Sequence, residues 1–194
     1  AMTLVRQMAD GLAALHERGI VHRDFKPGNV MLVRSGTGAE RAVIGDFGLA
    51  RAVVAVSGAG AAPLTEAGRV AGTPNYMSPE QLMGNVVGPA SDVYALGLVM
   101  YEMLTGKRPF PGGQALENAV QRVVEQPTPP RQFVPDLPEP WESLLLRCLS
   151  RDPEQRPTPG DVSALLAGGV AGSQASAPTI VSQRQAPHAA ATSR

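Results

Sequence analysis

A single cysteine, Cys148, occurs in the 194 residues, which excludes an internal disulfide and fits a reducing compartment. Formal net charge is zero and no block of like charges occurs, so composition offers nothing to nucleic acid or to a charged membrane surface. No stretch approaches the roughly eighteen uninterrupted apolar residues of a membrane span, and the start lacks a basic-then-apolar leader pattern. The chain is therefore expected to be soluble, without a membrane segment, and cytoplasmic. Lysine is scarce as well: Lys26 and Lys107 stand against fifteen arginines.

What is present is enough apolar material, 43% of residues, for one core and one domain with a tail. Leu4, Val5, Met8, Leu12 and Leu15 recur at helical spacing and predict a helix over 3–18, with Gly19 as its stop. Residues 29–33 and 41–44 are β-prone runs around Ser35-Gly36-Thr37-Gly38, which reads as a hairpin. Residues 51–72 have no sustained period and read as a mobile loop. An apolar helix follows over 91–105; it lacks a polar face and so should be the buried centre. Further helices are predicted over 116–124, 141–149 and 159–166, with a Pro-rich irregular connection over 127–140. Thr158 and Asp161 have the spacing of a capping box at the start of the last helix. Cys148 reads as a small core residue. After Gly168 large apolar residues almost vanish, so 168–194 is expected to be a disordered Ala/Ser/Pro/Gln-rich tail.

Within this frame His22-Arg23-Asp24-Phe25-Lys26-Pro27-Gly28-Asn29-Val30 opens the hairpin and Asp46-Phe47-Gly48 follows it. A hairpin brings its ends together, so Asn29 and Asp46 should share a site. The pattern H-R-D-x-K-P-x-N with a later D-F-G resembles the catalytic core of protein kinases. With Gly72-Thr73-Pro74 before Ser78-Pro79-Glu80, it is most similar to the C-terminal lobe of a eukaryotic-type Ser/Thr protein kinase of the bacterial receptor type. The likeness covers residues 3 to 167, and the domain boundary implied is 1–167.

Phosphoryl transfer needs an acceptor hydroxyl in line, a carboxylate for its proton, and cations on the phosphate oxygens. The resemblance implies these roles residue by residue. Asp24 is the base and Lys26 reaches the transferring phosphate of ATP. Asn29 and Asp46 hold Mg2+ or Mn2+. Thr73 bonds toward Asp24 and Lys26 and helps choose a Ser/Thr acceptor on protein substrates. His22 braces the loop, Asp92 steadies its backbone, and Arg156 pairs with Glu80 to anchor the segment end. Arg23 implies a switch by phosphate on the activation loop, 51–72, with Thr65 the candidate acceptor and Ser57 a weaker one. Trans-phosphorylation would involve a dimer. Ser78 stands where the family usually has Ala.

Two parts of a whole kinase have no counterpart. No glycine-rich loop reaches its third glycine, and with Lys26 assigned and Lys107 in a Thr-Gly-Lys-Arg-Pro turn no lysine is left for the strand role. The expectation is a mainly α C-terminal lobe with a small β-hairpin, its N-terminal lobe absent, opening on Ala1-Met2 inside a longer reading frame and inactive alone. The competing reading is a non-catalytic interaction module that docks another protein. A small-molecule phosphotransferase shares the Asp and Asn spacing, but the Ser78-Pro79-Glu80 segment with its Arg156 partner speaks for a protein-substrate platform.

Overall fold

A helix without a polar face has nowhere to go but the interior. In the computed structural model, which describes residues 2–34, 36, 38, 40–46, 74–113 and 115–172, Ser91 through Tyr101 are all buried in such a helix. This helix, α3 (Pro89–Thr105), starts with proline in its first turn, where the missing N–H costs nothing, and stops at Gly106 in the left-handed conformation, φ 65°. The start lies two residues ahead of the predicted Ser91.

The other elements pack around it. α1 (Met2–His16) buries Val5, Met8, Ala9 and Leu12. Its end is a Schellman turn: Gly19 takes φ 71°, its N–H donates to the His16 carbonyl, and the Ile20 N–H donates to the Leu15 carbonyl at 3.0 Å. Glycine suits this turn because a Cβ disfavours the left-handed region. Strands β1 (Val30–Arg34) and β2 (Glu40–Ile44) form a two-stranded antiparallel sheet, from Val30 opposite Ile44 to Arg34 opposite Glu40. A short helix α2 (Pro79–Leu82) precedes α3, and α4 (Ala115–Val124), α5 (Glu139–Cys148) and α6 (Pro159–Gly172) follow it. α1 packs on β2, α3 and α6, and α5 packs on α3 and α6.

One glycine decides how close α5 comes. A Cβ built on Gly97 would lie 2.8 Å from Cys148 Cβ and 3.1 Å from Leu149 Cδ2, too close for any larger residue. Cys148 is fully buried at that contact, and burial pushes its thiol up to about 12, so it is a packed core residue with no thiolate at neutral pH.

Three differences from the sequence reading have physical causes. Asn29 lies in a 3-10 turn (Pro27–Asn29) just ahead of β1, not in the strand. α2 is too short to show a period. The last helix continues to Gly172, past its predicted end at 166, since extending a formed helix is far less costly than starting one. The Thr158–Asp161 box forms in both directions, with Asp161 N–H donating to Thr158 Oγ1 at 3.2 Å and Thr158 N–H donating to Asp161 Oδ2 at 3.0 Å. No helix among the described residues is long and apolar enough to cross a membrane.

Candidate active site

The turn after α1 carries His22 into the interior, where it is fully buried. Its Nε2 donates to the Gly45 carbonyl at 3.0 Å, its Nδ1 receives the Asp24 N–H at 3.4 Å, and Phe25 meets the ring edge-on at 5.8 Å. The Gly45 N–H in turn donates to the Asn29 carbonyl at 2.8 Å. Gly45 is thus held by residues of the 22–29 loop through both its backbone groups, which brings Asp46 to the end of the hairpin where Asn29 lies.

Asp92, at the start of α3, is only 1% exposed. Its Oδ2 accepts the His22 N–H and its Oδ1 the Arg23 N–H, both at 2.8 Å, while His16 Nε2 on α1 sits 2.8 Å from Oδ2. A buried carboxylate is tolerated when it is hydrogen-bonded in this way. Arg23 needs such support: it adopts φ 66°, a region that costs a non-glycine residue on the order of 1–3 kcal/mol. Asp46 shows the same trait with φ 53°.

Beyond Arg23 the side chains converge. Lys26 Nζ lies 2.7 Å from Asp24 Oδ2. Asn29 Nδ2 donates to the Asp24 carbonyl at 2.8 Å and approaches Oδ2 at 3.4 Å, leaving its amide oxygen as the atom with which it could take a cation. Asp24, Lys26 and Asn29 therefore touch one another, and Asp46 joins them through the hairpin backbone. The Asp24 side chain is 55% exposed, so a substrate hydroxyl can reach it. Phe47, Gly48, Ser57, Thr65 and Thr73 lie outside the described residues.

A second cluster anchors the segment that follows. Glu80 and Arg156, both buried, form a forked pair, Oε1 to one terminal nitrogen at 2.7 Å and Oε2 to the other at 2.8 Å. Ser91 Oγ donates to Glu80 at 2.7 Å. Arg156 spends its remaining N–H groups on the carbonyls of Ser150, Ala90 and Arg151 and lies 4.9 Å above the Tyr94 ring. Every guanidinium donor is used, as a buried arginine requires.

Besides the His16–Asp92 contact, sequence reasoning missed those of Gln81, Arg122 and Tyr76. Gln81 Nε2 donates to the Arg23 carbonyl at 2.7 Å. Arg122 of α4 is 2% exposed and donates to the Pro74 and Met77 carbonyls; burial holds its guanidinium below the usual range. Tyr76 donates to Glu102 at 2.7 Å, and burial together with that carboxylate pushes its hydroxyl up to about 12. Only that of Gln81 had a visible signal: Ser78 three places before Gln81 has capping-box spacing.

The protein kinase domain family matches residues 1–166. A Mycobacterium tuberculosis protein named serine/threonine-protein kinase PknA is 42% identical over 156 residues, 80% of this chain and 33% of that protein. A Bifidobacterium longum protein named as a probable serine/threonine-protein kinase, PknB, is 43% identical over 141 residues, 73% of this chain and 19% of that protein. A Corynebacterium glutamicum protein named PknA is 38% identical over 170 residues, 88% of this chain and 34% of that protein. The chain thus spans between a fifth and a third of the length of these relatives.

Proposed function

The chain belongs to the protein kinase domain family, and from that premise we propose that it carries the C-terminal, catalytic lobe of an ATP-dependent Ser/Thr protein kinase acting on protein substrates. The reading rests above all on the contact of Lys26 and Asn29 with Asp24, at 2.7 Å and 2.8 Å, on a loop braced from the buried helix. Asp24 takes the proton of a Ser or Thr hydroxyl as it attacks. Lys26, beside that carboxylate, offers its charge to the transferring phosphate. Thr73 completes the acceptor side.

Asn29 and Asp46 would hold the Mg2+ or Mn2+ that offsets charge on the ATP phosphates. A carboxylate and a carboxamide oxygen suit a hard cation completed by phosphate and water. Arg23 is exposed and its backbone is pinned, which suits its guanidinium to meet phosphate on the segment before residue 74. Thr65 is the proposed acceptor. Preincubating the full-length protein with ATP should activate wild type and not Thr65→Ala; equal activity of the two would remove the switch.

The 194 residues alone supply neither a glycine-rich phosphate loop with its third glycine nor a strand lysine. Because this chemistry is mostly positioning and electrostatics, purified 1–194 should run at least about 10³ slower than an intact relative, a barrier higher by roughly 4 kcal/mol. Turnover of a generic Ser/Thr substrate at roughly 1–100 per second would overturn this. A non-catalytic docking lobe is the second reading. It draws on the exposed β1 side chains Met31, Leu32 and Val33, 49–58% accessible, and it predicts no dependence of function on Asp24.

A further inference from the structure

We propose that Gln81 is a positioning residue for Asp24, holding the peptide group between Arg23 and Asp24 and through it the direction of the Asp24 carboxylate. The inference rests on Asp24 being the proton acceptor proposed above.

Three successive peptide groups lead into Asp24. The N–H groups of His22 and Arg23 both end on Asp92 at 2.8 Å. The third group is beyond that carboxylate: among the described residues its N–H, from Asp24, has the long 3.4 Å contact with His22 Nδ1. The firm anchor is on its carbonyl, where Gln81 Nε2 donates at 2.7 Å. Arg23, between these anchors, has φ 66°, a conformation a residue with a Cβ leaves when it can. Asp92 fixes one side of that strained residue and Gln81 the other. Releasing the Gln81 side lets the Arg23–Asp24 peptide rotate, and the Cα–Cβ bond of Asp24 turns with it.

Gln81 can do this because its own amide is oriented. Its Oε1 accepts the Ser78 N–H at 2.9 Å and the Ser78 hydroxyl at 3.2 Å. Swapping oxygen and nitrogen would set N–H against N–H and a carbonyl against a carbonyl. Ser78 is fully buried, and Glu80, one residue before Gln81, is locked by Arg156. A rigid path therefore runs from the buried Glu80–Arg156 pair through α2 to the peptide group between Arg23 and Asp24, next after the two N–H groups that Asp92 holds.

The bland alternative is that Gln81 only caps α2. Gln81→Glu separates the two, since glutamate keeps an acceptor for the Ser78 N–H but loses the donor and turns an anionic oxygen toward the Arg23 carbonyl. In the full-length protein this variant should lower kcat for phosphate transfer about tenfold, the scale of one lost hydrogen bond, with KM for ATP within about twofold and Tm within about 2 °C. Amide exchange at Arg23 and Asp24 should rise by a similar factor while Leu96 and Met100, in α3, stay protected. Unchanged kcat with unchanged exchange at residues 23 and 24 overturns the proposal, as does an exchange increase that reaches α3 equally, which would make Gln81 a stability residue. Wild-type protein that transfers no phosphate, or Asp24→Asn that transfers it normally, fails the kinase reading instead; faster exchange confined to residues 23 and 24 would then still uphold Gln81 as the anchor of that peptide.

Discussion

Asp24→Asn in the full-length protein is expected to lower kcat by about 10² to 10⁴, the range over which a positioned general base contributes. The substitution is nearly isosteric, yet it removes the proposed proton acceptor and sets an NH2 group where Oδ2 now faces Lys26 Nζ at 2.7 Å. Stability should hardly move. The Asp24 and Lys26 side chains are 55% and 27% exposed, and ion pairs of that exposure contribute under about 1 kcal/mol. The same holds for ATP binding, since the proposed cation ligands, Asn29 and Asp46, are untouched. The diagnostic result is thus a collapse of kcat with KM for ATP and the unfolding midpoint both near wild type. A kcat within about tenfold of wild type would reassign the base and favour the docking-lobe reading.

The sequence pattern carried the residues whose partners are their neighbours in the chain. The hairpin was legible because its turn residues and two β-prone runs lie side by side, and α3 was legible because its apolar residues leave no polar face. Gln81, Arg122 and His16 were opaque for the opposite reason. Each bonds a group 45 or more residues away, and two of the three bond backbone carbonyls, which every residue has. Nothing in a side-chain pattern marks which carbonyl will be left without a partner. Position 46 was legible as a motif letter, but its left-handed backbone was not. The last helix runs six residues past its predicted end at 166, because composition reports what can bury surface and not where helical hydrogen bonding stops.

Breaking the Glu80–Arg156 pair should cost about 3–5 kcal/mol, as for other buried pairs that lose one partner, a large share of the roughly 5–15 kcal/mol that holds a domain folded. Arg156→Met should lie at the upper end, since it also strips donors from the Ser150, Ala90 and Arg151 carbonyls. Glu80→Gln should lie lower, since Arg156 keeps those three. The double variant should cost less than the sum of the singles, because no unpaired buried charge remains. Acidity gives an independent check. Burial alone would raise the Glu80 carboxyl, but the bonds from Arg156 and Ser91 outweigh it and hold it at about 2 against an ordinary 4.5. A carboxyl depressed on folding stabilises fully above its unfolded value and loses that contribution as pH falls toward the folded one. At about 1.4 kcal/mol per pH unit the interval corresponds to roughly 3 kcal/mol, the low end of the cost expected from deletion. Urea unfolding of wild type and Glu80→Gln should therefore show a gap of about 3 kcal/mol at pH 7 that narrows steadily between pH 4.5 and 2. A gap that stays constant through that window, or one below about 1 kcal/mol at pH 7, would mean that the fork between α2 and the turn before α6 contributes geometry without stability.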